Sequence, residues 1–139
     1  MGLFDAFDAS GSGLSAERLR MDVTAENLAN AQSTRSANGT GPYKRKEVVL
    51  EQAGSTFADS LQAARGVRVA GIVEDSTPPR RVYDPGHPDA DAQGYVTMPN
   101  VNTVTEMTDL IGASRAYEAN VTAMQTAKSM FARTLDILK

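Results

Sequence analysis

The last part of the chain constrains the fold most, because it is one long amphipathic segment. Between Thr103 and Leu138 there is no proline, and Gly112 is the only glycine. Apolar residues recur there at alternating spacings of three and four, the period of a coiled-coil seam. The seam consists of Leu110, Ala113, Tyr117, Asn120, Met124, Ala127, Phe131, Thr134 and Leu138. Such a helix would be ~54 Å long at about 1.5 Å per residue, which is more than a 139-residue domain can cover.

The start of this helix is predicted at Thr103. Thr103-Val104-Thr105-Glu106 has the pattern of a capping box, in which a Thr hydroxyl and a Glu carboxylate three residues later satisfy free amides of the first turn.

A second stripe with the same spacing lies at the other end of the chain. It comprises Phe4, Phe7, Gly11, Leu14, Arg18, Met21, Ala25 and Leu28. A glycine inside a helix costs roughly 1 kcal/mol relative to alanine. We therefore expect a flexible Ser10-Gly11-Ser12-Gly13 segment, followed by a helical run from Leu14 to Asn30, with residues 1–31 as the N-terminal unit.

The middle of the chain predicts a small β-rich domain. Residues 32–42 are polar and aperiodic, as in a loop, and residues 43–99 contain short β-rich runs at 43–51, 66–74, 80–83 and 94–98. Residues 52–65 fit either a mobile loop or a short helix. With residues 100–139 as the C-terminal helix, the fold class is α+β: terminal helices paired as in a coiled coil, with the β-rich domain inserted between them.

The two stripes leave two arrangements open. An amphipathic helix gains most of its stability by burying its apolar face, so each stripe needs a facing surface. The stripes can cover each other as a hairpin within one chain, or they can also pack against further chains. Periodicity alone does not separate these alternatives.

Composition and charge exclude several classes of function. The net charge of −3 does not favour nucleic acid, and Lys44-Arg45-Lys46 is the only basic cluster. On a strand that cluster is more typical of a solvated edge or a salt-bridged contact. The chain has no cysteine and no apolar run long enough for a membrane span. Its first residues also lack the pattern of a cleavable signal peptide.

One loop contains residue types that occur in metal and catalytic sites. Asp84, His87, Asp89 and Asp91 lie close together in sequence, and a small metal-binding or hydrolytic enzyme built on them is the alternative hypothesis. Transition-metal sites generally need three or four well-placed ligands, and His87 is the only histidine. No Ser/His/acid set, phosphate loop or His-Glu-x-x-His pattern is present. We therefore expect no enzyme activity, no metal, no cofactor and no small-molecule substrate.

Several blocks of sequence resemble the bacterial flagellar rod and hook protein family. Leu14-Ser15-Ala16-Glu17-Arg18-Leu19-Arg20-Met21-Asp22-Val23, followed by Glu26-Asn27-Leu28-Ala29-Asn30, resembles the N-terminal signature of that family. Residues 41–49, 82–91, 98–102 and 114–121 narrow the resemblance to subunits of the proximal rod. The blocks are in order and span nearly the whole chain.

This resemblance implies a structural subunit of the basal-body rod. Such subunits polymerise through their terminal helices into a tubular drive shaft that crosses the periplasm, transmits torque and passes exported subunits. The implied partners are copies of the chain, other rod proteins and the flagellar type III export apparatus, with no nucleic acid and no membrane insertion. Export would need no cleavable signal peptide.

Eleven residues are our candidates for the assembly interface. Eight are packing positions, and Asn27, Asn30 and Asn120 are candidates for polar registration, because one buried polar residue can fix helix register. The packing positions are Leu14, Met21, Leu28, Leu110, Tyr117, Met124, Phe131 and Leu138.

Overall fold

A computed structural model describes residues 3–36, 41–54 and 66–137. The elements in chain order are α1 (Leu3–Ala29), β1 (Lys46–Gln52), β2 (Val67–Glu74), β3 (Arg80–Tyr83), β4 (Tyr95–Met98) and α2 (Thr103–Ile137). β1 pairs antiparallel with β2, and β3 with β4, as two separate hairpins. The predicted α+β class is confirmed. The loop-or-helix alternative for 52–65 falls mainly on residues 55–65, which lie outside the described residues.

The helix α1 passes through Gly11 and Gly13 without a break, so the predicted flexible segment is wrong. The two glycines lie against α2: a Cβ at Gly11 would stand 3.9 Å from Cε of Met124, and one at Gly13 would stand 3.0 Å from Nδ2 of Asn120. Packing against α2 therefore offsets the low helix propensity of glycine, as tertiary contacts commonly do.

The two helices run antiparallel along one register. Gly11 lies near Met124, Gly13 near Asn120, and Asn27 near Glu106. Ala113 of the α2 seam is buried. The seam stays at least half-buried from Leu110 to Ala127, and Phe131 and Thr134 after it are exposed. This confirms the heptad reading of α2 over the length where α1 faces it.

The buried face of α1 differs from the predicted stripe. Arg18 and Ala25 are exposed, whereas Ala16, Val23 and Asn27 are the buried residues of the helix. α1 contacts both α2 and the β1–β2 hairpin, so it buries the face that these two neighbours share. The predicted stripe lies along the margin of this face, because a periodicity argument assumes a single facing surface.

The start of α2 is capped by Asn102, not by the predicted capping box. Oδ1 of Asn102 accepts hydrogen bonds from the backbone N–H groups of Val104 (3.0 Å) and Thr105 (3.4 Å). Its carbonyl accepts the first helical bond, from the N–H of Glu106, at 3.0 Å. Asn102 therefore occupies the N-cap position. The carboxylate of Glu106 points into the protein interior instead of back to the helix start.

The β1–β2 hairpin is attached to α1 at both of its ends. At one end, the backbone N–H of Val67 donates to Oγ of Ser12 at 3.0 Å, while that hydroxyl donates to the carbonyl of Ala9 at 2.8 Å. At the other end, Lys46 meets Asn27. A register shift between Val49 and Leu50 adds a bulge between these anchor points.

The β3–β4 hairpin carries two aromatic residues side by side. The rings of Tyr83 and Tyr95 form an edge-to-face pair with centroids 5.3 Å apart, and Val96 beside them is fully buried. Within the described parts of the chain, no helix is long and apolar enough to cross a membrane.

Candidate assembly surface and its buried support

Most of the predicted interface residues are partly buried, so that part of each side chain is still accessible. These are Leu14, Met21, Leu28, Asn30, Leu110, Tyr117, Asn120 and Met124. Phe131 is 42% exposed, and Asn27 is buried at 1% exposure. Leu138 lies outside the described residues. The helix pair therefore keeps apolar surface along its length that a neighbouring chain can contact.

The far end of α2 is the most exposed part of this surface. From Lys128 to Asp136 every side chain is exposed, and Phe131 and Leu135 (48%) are the large apolar residues on the side that continues the seam. The seam is therefore accessible to a neighbouring chain in these turns.

A second exposed apolar patch covers the first turns of α2. Val104, Met107 and Ile111 follow a helical spacing that places them on one face, and all three are exposed. This face is opposite the seam, because Glu106 and Ala113 of the same turns are buried. Sequence reasoning missed it, since its three residues fall outside the heptad positions.

Beneath this surface, Asn27 joins three elements through a fully satisfied amide. Nδ2 of Asn27 donates to the carbonyl of Lys46 at 2.8 Å and to Oε2 of Glu106 at 2.9 Å. Its Oδ1 accepts from the N–H of Lys46 at 2.9 Å and from the hydroxyl of Tyr43 at 2.8 Å. All the polar atoms of the Asn27 side chain therefore bond within the chain, to β1, to α2 and to the segment before β1.

Arg45 neutralises the buried carboxylate in this cluster. Its Nε donates to Oε1 of Glu106 at 2.6 Å, and Glu106 is only 1% exposed. The carboxylates of Glu47 (3.5 Å), Asp109 (3.7 Å) and Asp75 (3.9 Å) surround the guanidinium group. The hydrogen bond to Glu106 raises the pKa of Arg45 above its ordinary value, so the guanidinium group stays charged.

The basic run around Arg45 is salt-bridged, as predicted. Lys44 pairs with Glu74 at 3.2 Å and Lys46 with Glu26 at 2.6 Å. The inward turn of Arg45 was not predicted, because Glu106 lies 61 residues away and no local pattern connects the two.

Tyr43 closes one side of the cluster. Its ring is buried beside Ala31 and Val101, and its hydroxyl donates to Asn27. Burial, together with the nearby carboxylates of Glu26, Glu106 and Glu74, raises its pKa from 10.0 to about 12. The phenol therefore stays protonated and remains a donor at neutral pH.

In the acidic loop, the side chains proposed as an alternative metal or catalytic site are engaged elsewhere. Asp84 accepts from the N–H of Gly86 at 3.2 Å, and Nδ1 of His87 accepts from the N–H of Asp89 at 3.1 Å. Asp91 accepts from the N–H of Tyr95 at 2.8 Å and from Arg81 at 2.6 Å. These bonds stabilise a turn.

Asp89 attaches this loop to the segment after α1. Its carboxylate accepts from the hydroxyl of Thr34 at 2.7 Å and from Arg35, whose Nε lies 2.9 Å away. The hydrogen bonds from Arg35 and then Thr34 hold the pKa of Asp89 below its usual range. Among the described residues, no group of three or more His, Cys, Asp or Glu side chains is placed to hold a metal ion.

Comparison with known proteins first identifies the class. Residues 7–35, which cover most of α1, match the family model described as "Flagella basal body rod protein". Residues 92–137, which cover β4 and α2, match the one described as "Flagellar basal body rod FlgEFG protein C-terminal". Both ends of the chain thus carry the features of flagellar rod proteins.

Full-length relatives define the family more closely. The chain is 44% identical over 150 residues to the flagellar basal-body rod protein FlgC of Bacillus subtilis, with all of both chains covered. It is 45% identical over 137 residues to the FlgC of Salmonella typhimurium, covering 99% of this chain and 98% of the relative. The FlgC of Borreliella burgdorferi is 44% identical over 152 residues, covering 100% and 99%. The chain belongs to the FlgC family of flagellar basal-body rod proteins.

Proposed function

We propose that this chain is a structural subunit of the flagellar basal-body rod, which assembles with copies of itself and with other rod proteins through its terminal helices. Family membership along the full length supports the rod assignment. The role is mechanical: the two ranges that match rod-protein families include the paired helices, and the carboxylates and histidine of the acidic loop serve to hold a turn.

The observation that carries the assembly proposal is the exposed apolar seam in the last turns of α2. Phe131 and Leu135 are 42% and 48% exposed although they continue the face that is buried from Leu110 to Ala127. Burying a Phe or Leu side chain fully contributes roughly 1.5–3 kcal/mol. A neighbouring helix that covered both side chains would gain about half of that free energy from each, because each is only about half exposed.

The finer part of the proposal concerns the position and work of the subunit. We infer that it lies in the proximal rod, that the rod crosses the periplasm as a tube, and that the tube transmits torque and passes later subunits. We infer also that the chain leaves the cell through the flagellar export apparatus. Family membership supports this placement. The two paired helices have 27 and 35 residues, which correspond to about 40 and 50 Å of continuous helix. Long continuous helices suit a subunit that transmits torque.

A substitution in the exposed last turns of α2 tests the assembly proposal. In a flagellated bacterium that carries this chain in place of its own rod subunit, Phe131→Ser should prevent incorporation into basal bodies and abolish swimming. Met130→Ser is the matched control, because Met130 is also exposed (60%) but lies off the seam. The circular dichroism spectra of both purified variants should match that of the parent chain. Normal basal bodies and swimming with Phe131→Ser would overturn the proposal.

A further inference from the structure

The apolar seam between α1 and α2 does not by itself select one register. Apolar residues recur along α2 with the heptad period, so a helix shifted by one heptad again faces seam residues. If α1 slid by one heptad toward the end of α2, it would cover Phe131 and Leu135, which are now exposed, and would uncover the first turns of the seam around Leu110. Apolar burial alone therefore does not decide between the two positions, and another interaction must oppose the slide.

The buried polar cluster supplies that opposition. In the observed register the Nδ2 of Asn27 lies 2.9 Å from Oε2 of Glu106, and each residue is 1% exposed. After a slide of one heptad, Asn27 would stand opposite Ala113, which has no polar atom to bond it. The Glu106 carboxylate would lose its amide donor as well. A buried polar group without a partner is destabilising, so the amide of Asn27 opposes the slide.

The same cluster connects the register to the position of the hairpin. The amide of Asn27 holds both the N–H and the carbonyl of Lys46, at the first residue of β1. Arg45, one residue earlier, binds Glu106 at 2.6 Å. α1, α2 and β1 thus meet at one point, and a displacement of any one of them breaks bonds to the other two.

We propose that the Asn27–Glu106–Arg45 cluster acts as a register lock, which means that it holds α1 at a single position along α2. The same contacts fix the position of the β1–β2 hairpin. A buried polar residue that fixes helix register at a cost in stability is a known device of coiled coils. The lock also determines how much of the α2 seam is left free. That consequence for assembly rests on the proposed function, whereas the register itself does not.

Spin labels test the lock in the full chain. The chain has no cysteine, so labels attach only at introduced positions. Ala25→Cys on α1 and Ser129→Cys on α2 are both exposed and lie far apart along the helix axis. Pulsed electron paramagnetic resonance should give one label-to-label distance in the parent chain. With Glu106→Leu we expect a second population, shorter by about 10 Å, which is one heptad at the helical rise.

Two further variants separate register from other effects. Glu106→Gln keeps an oxygen that can accept from Asn27, and Glu118→Leu makes the same change to leucine at an exposed position of α2. Both should keep the parent distance. A single parent distance in a helical Glu106→Leu chain would overturn the proposal. If Glu106→Leu loses its helical circular dichroism, Asn27→Leu takes its place. Loss of helix in that variant too would overturn the lock, because the cluster would then hold the whole fold and not the register.

Discussion

Gly13 of α1 lies directly against Asn120 of α2: a Cβ at position 13 would stand 3.0 Å from Nδ2 and 3.3 Å from Cγ of that side chain. The helices approach closely here because glycine leaves room for the amide. Asn120 thus occupies a seam position that would hold an apolar residue in a regular coiled coil. The contact explains why a glycine is useful inside a helix that it weakens.

The first prediction compares two helix glycines. Gly112 has no atom within 4 Å of its Cβ position, so Gly112→Ala should stabilise the chain by about 1 kcal/mol through helix propensity. Gly13→Ala should gain less or lose stability, since its new methyl must displace Asn120. Urea denaturation of both variants measures the difference. Equal gains at the two positions would show that the helices do not meet closely at Gly13.

The second prediction concerns the anchor of β2 on α1. Gly66 has a φ of +114°, and a Cβ there would stand 2.2 Å from Oγ of Ser12. Gly66→Ala should destabilise the chain by at least about 1–3 kcal/mol, the usual cost of such a backbone conformation in other residues. Gly71→Ala within β2 is the control, because its Cβ position is open. In thermal unfolding, Gly66→Ala should lower the melting temperature clearly, and Gly71→Ala should not.

A double variant tests whether the Gly66 effect involves the side chain of Ser12. Ser12→Ala removes the clashing oxygen, so it should recover part of the loss caused by Gly66→Ala. Additive effects of the two substitutions would contradict direct contact, because residues that touch are expected to couple.

The third prediction is a pH dependence from Tyr43. Its pKa is about 12 in the folded chain and 10.0 ordinarily, so the unfolded chain releases the proton first. The stability this phenol contributes is fully present below pH 10 and is lost as pH rises toward 12. Tyr43→Phe should be less stable by about 1 kcal/mol at neutral pH, the worth of one hydrogen bond. That gap should close at high pH, as urea midpoints would show. A constant gap would contradict the shifted pKa.

The fourth prediction concerns the attachment of the acidic loop. The pKa of Asp89 in the folded chain lies below its ordinary value of 3.8. The bond to Arg35 therefore stabilises the folded chain above pH 3.8, and this stability is lost as the pH falls through the pKa of the folded state. Arg35→Ala should return the pKa of Asp89 toward its ordinary value. Arg81→Ala is the matched control, since it removes the partner of Asp91 only. An NMR titration of the Asp side chains would distinguish the two.

Local pattern was sufficient for the strands, for α2 and its seam, and for the second half of α1. These elements depend on periodicities of two and of three to four residues that lie within a few turns of chain. The α2 seam from Leu110 to Ala127 follows its heptads because α1 is, among the described elements, the one that packs along α2. The blocks that resemble rod proteins identified the family for the same reason, since they are contiguous stretches of sequence.

Tertiary packing decided everything that depends on two neighbours at once. The buried face of α1 contains Ala16, Val23 and Asn27, because both α2 and the β1–β2 hairpin pack against the helix. Glu106 does not cap the helix, because its buried carboxylate pairs with Arg45, which is distant in sequence. Asn102 caps the helix instead. Which face of α1 is buried and which partner Glu106 takes depend on the free energies of alternative contacts. The residues that make these contacts become adjacent only when the chain is folded.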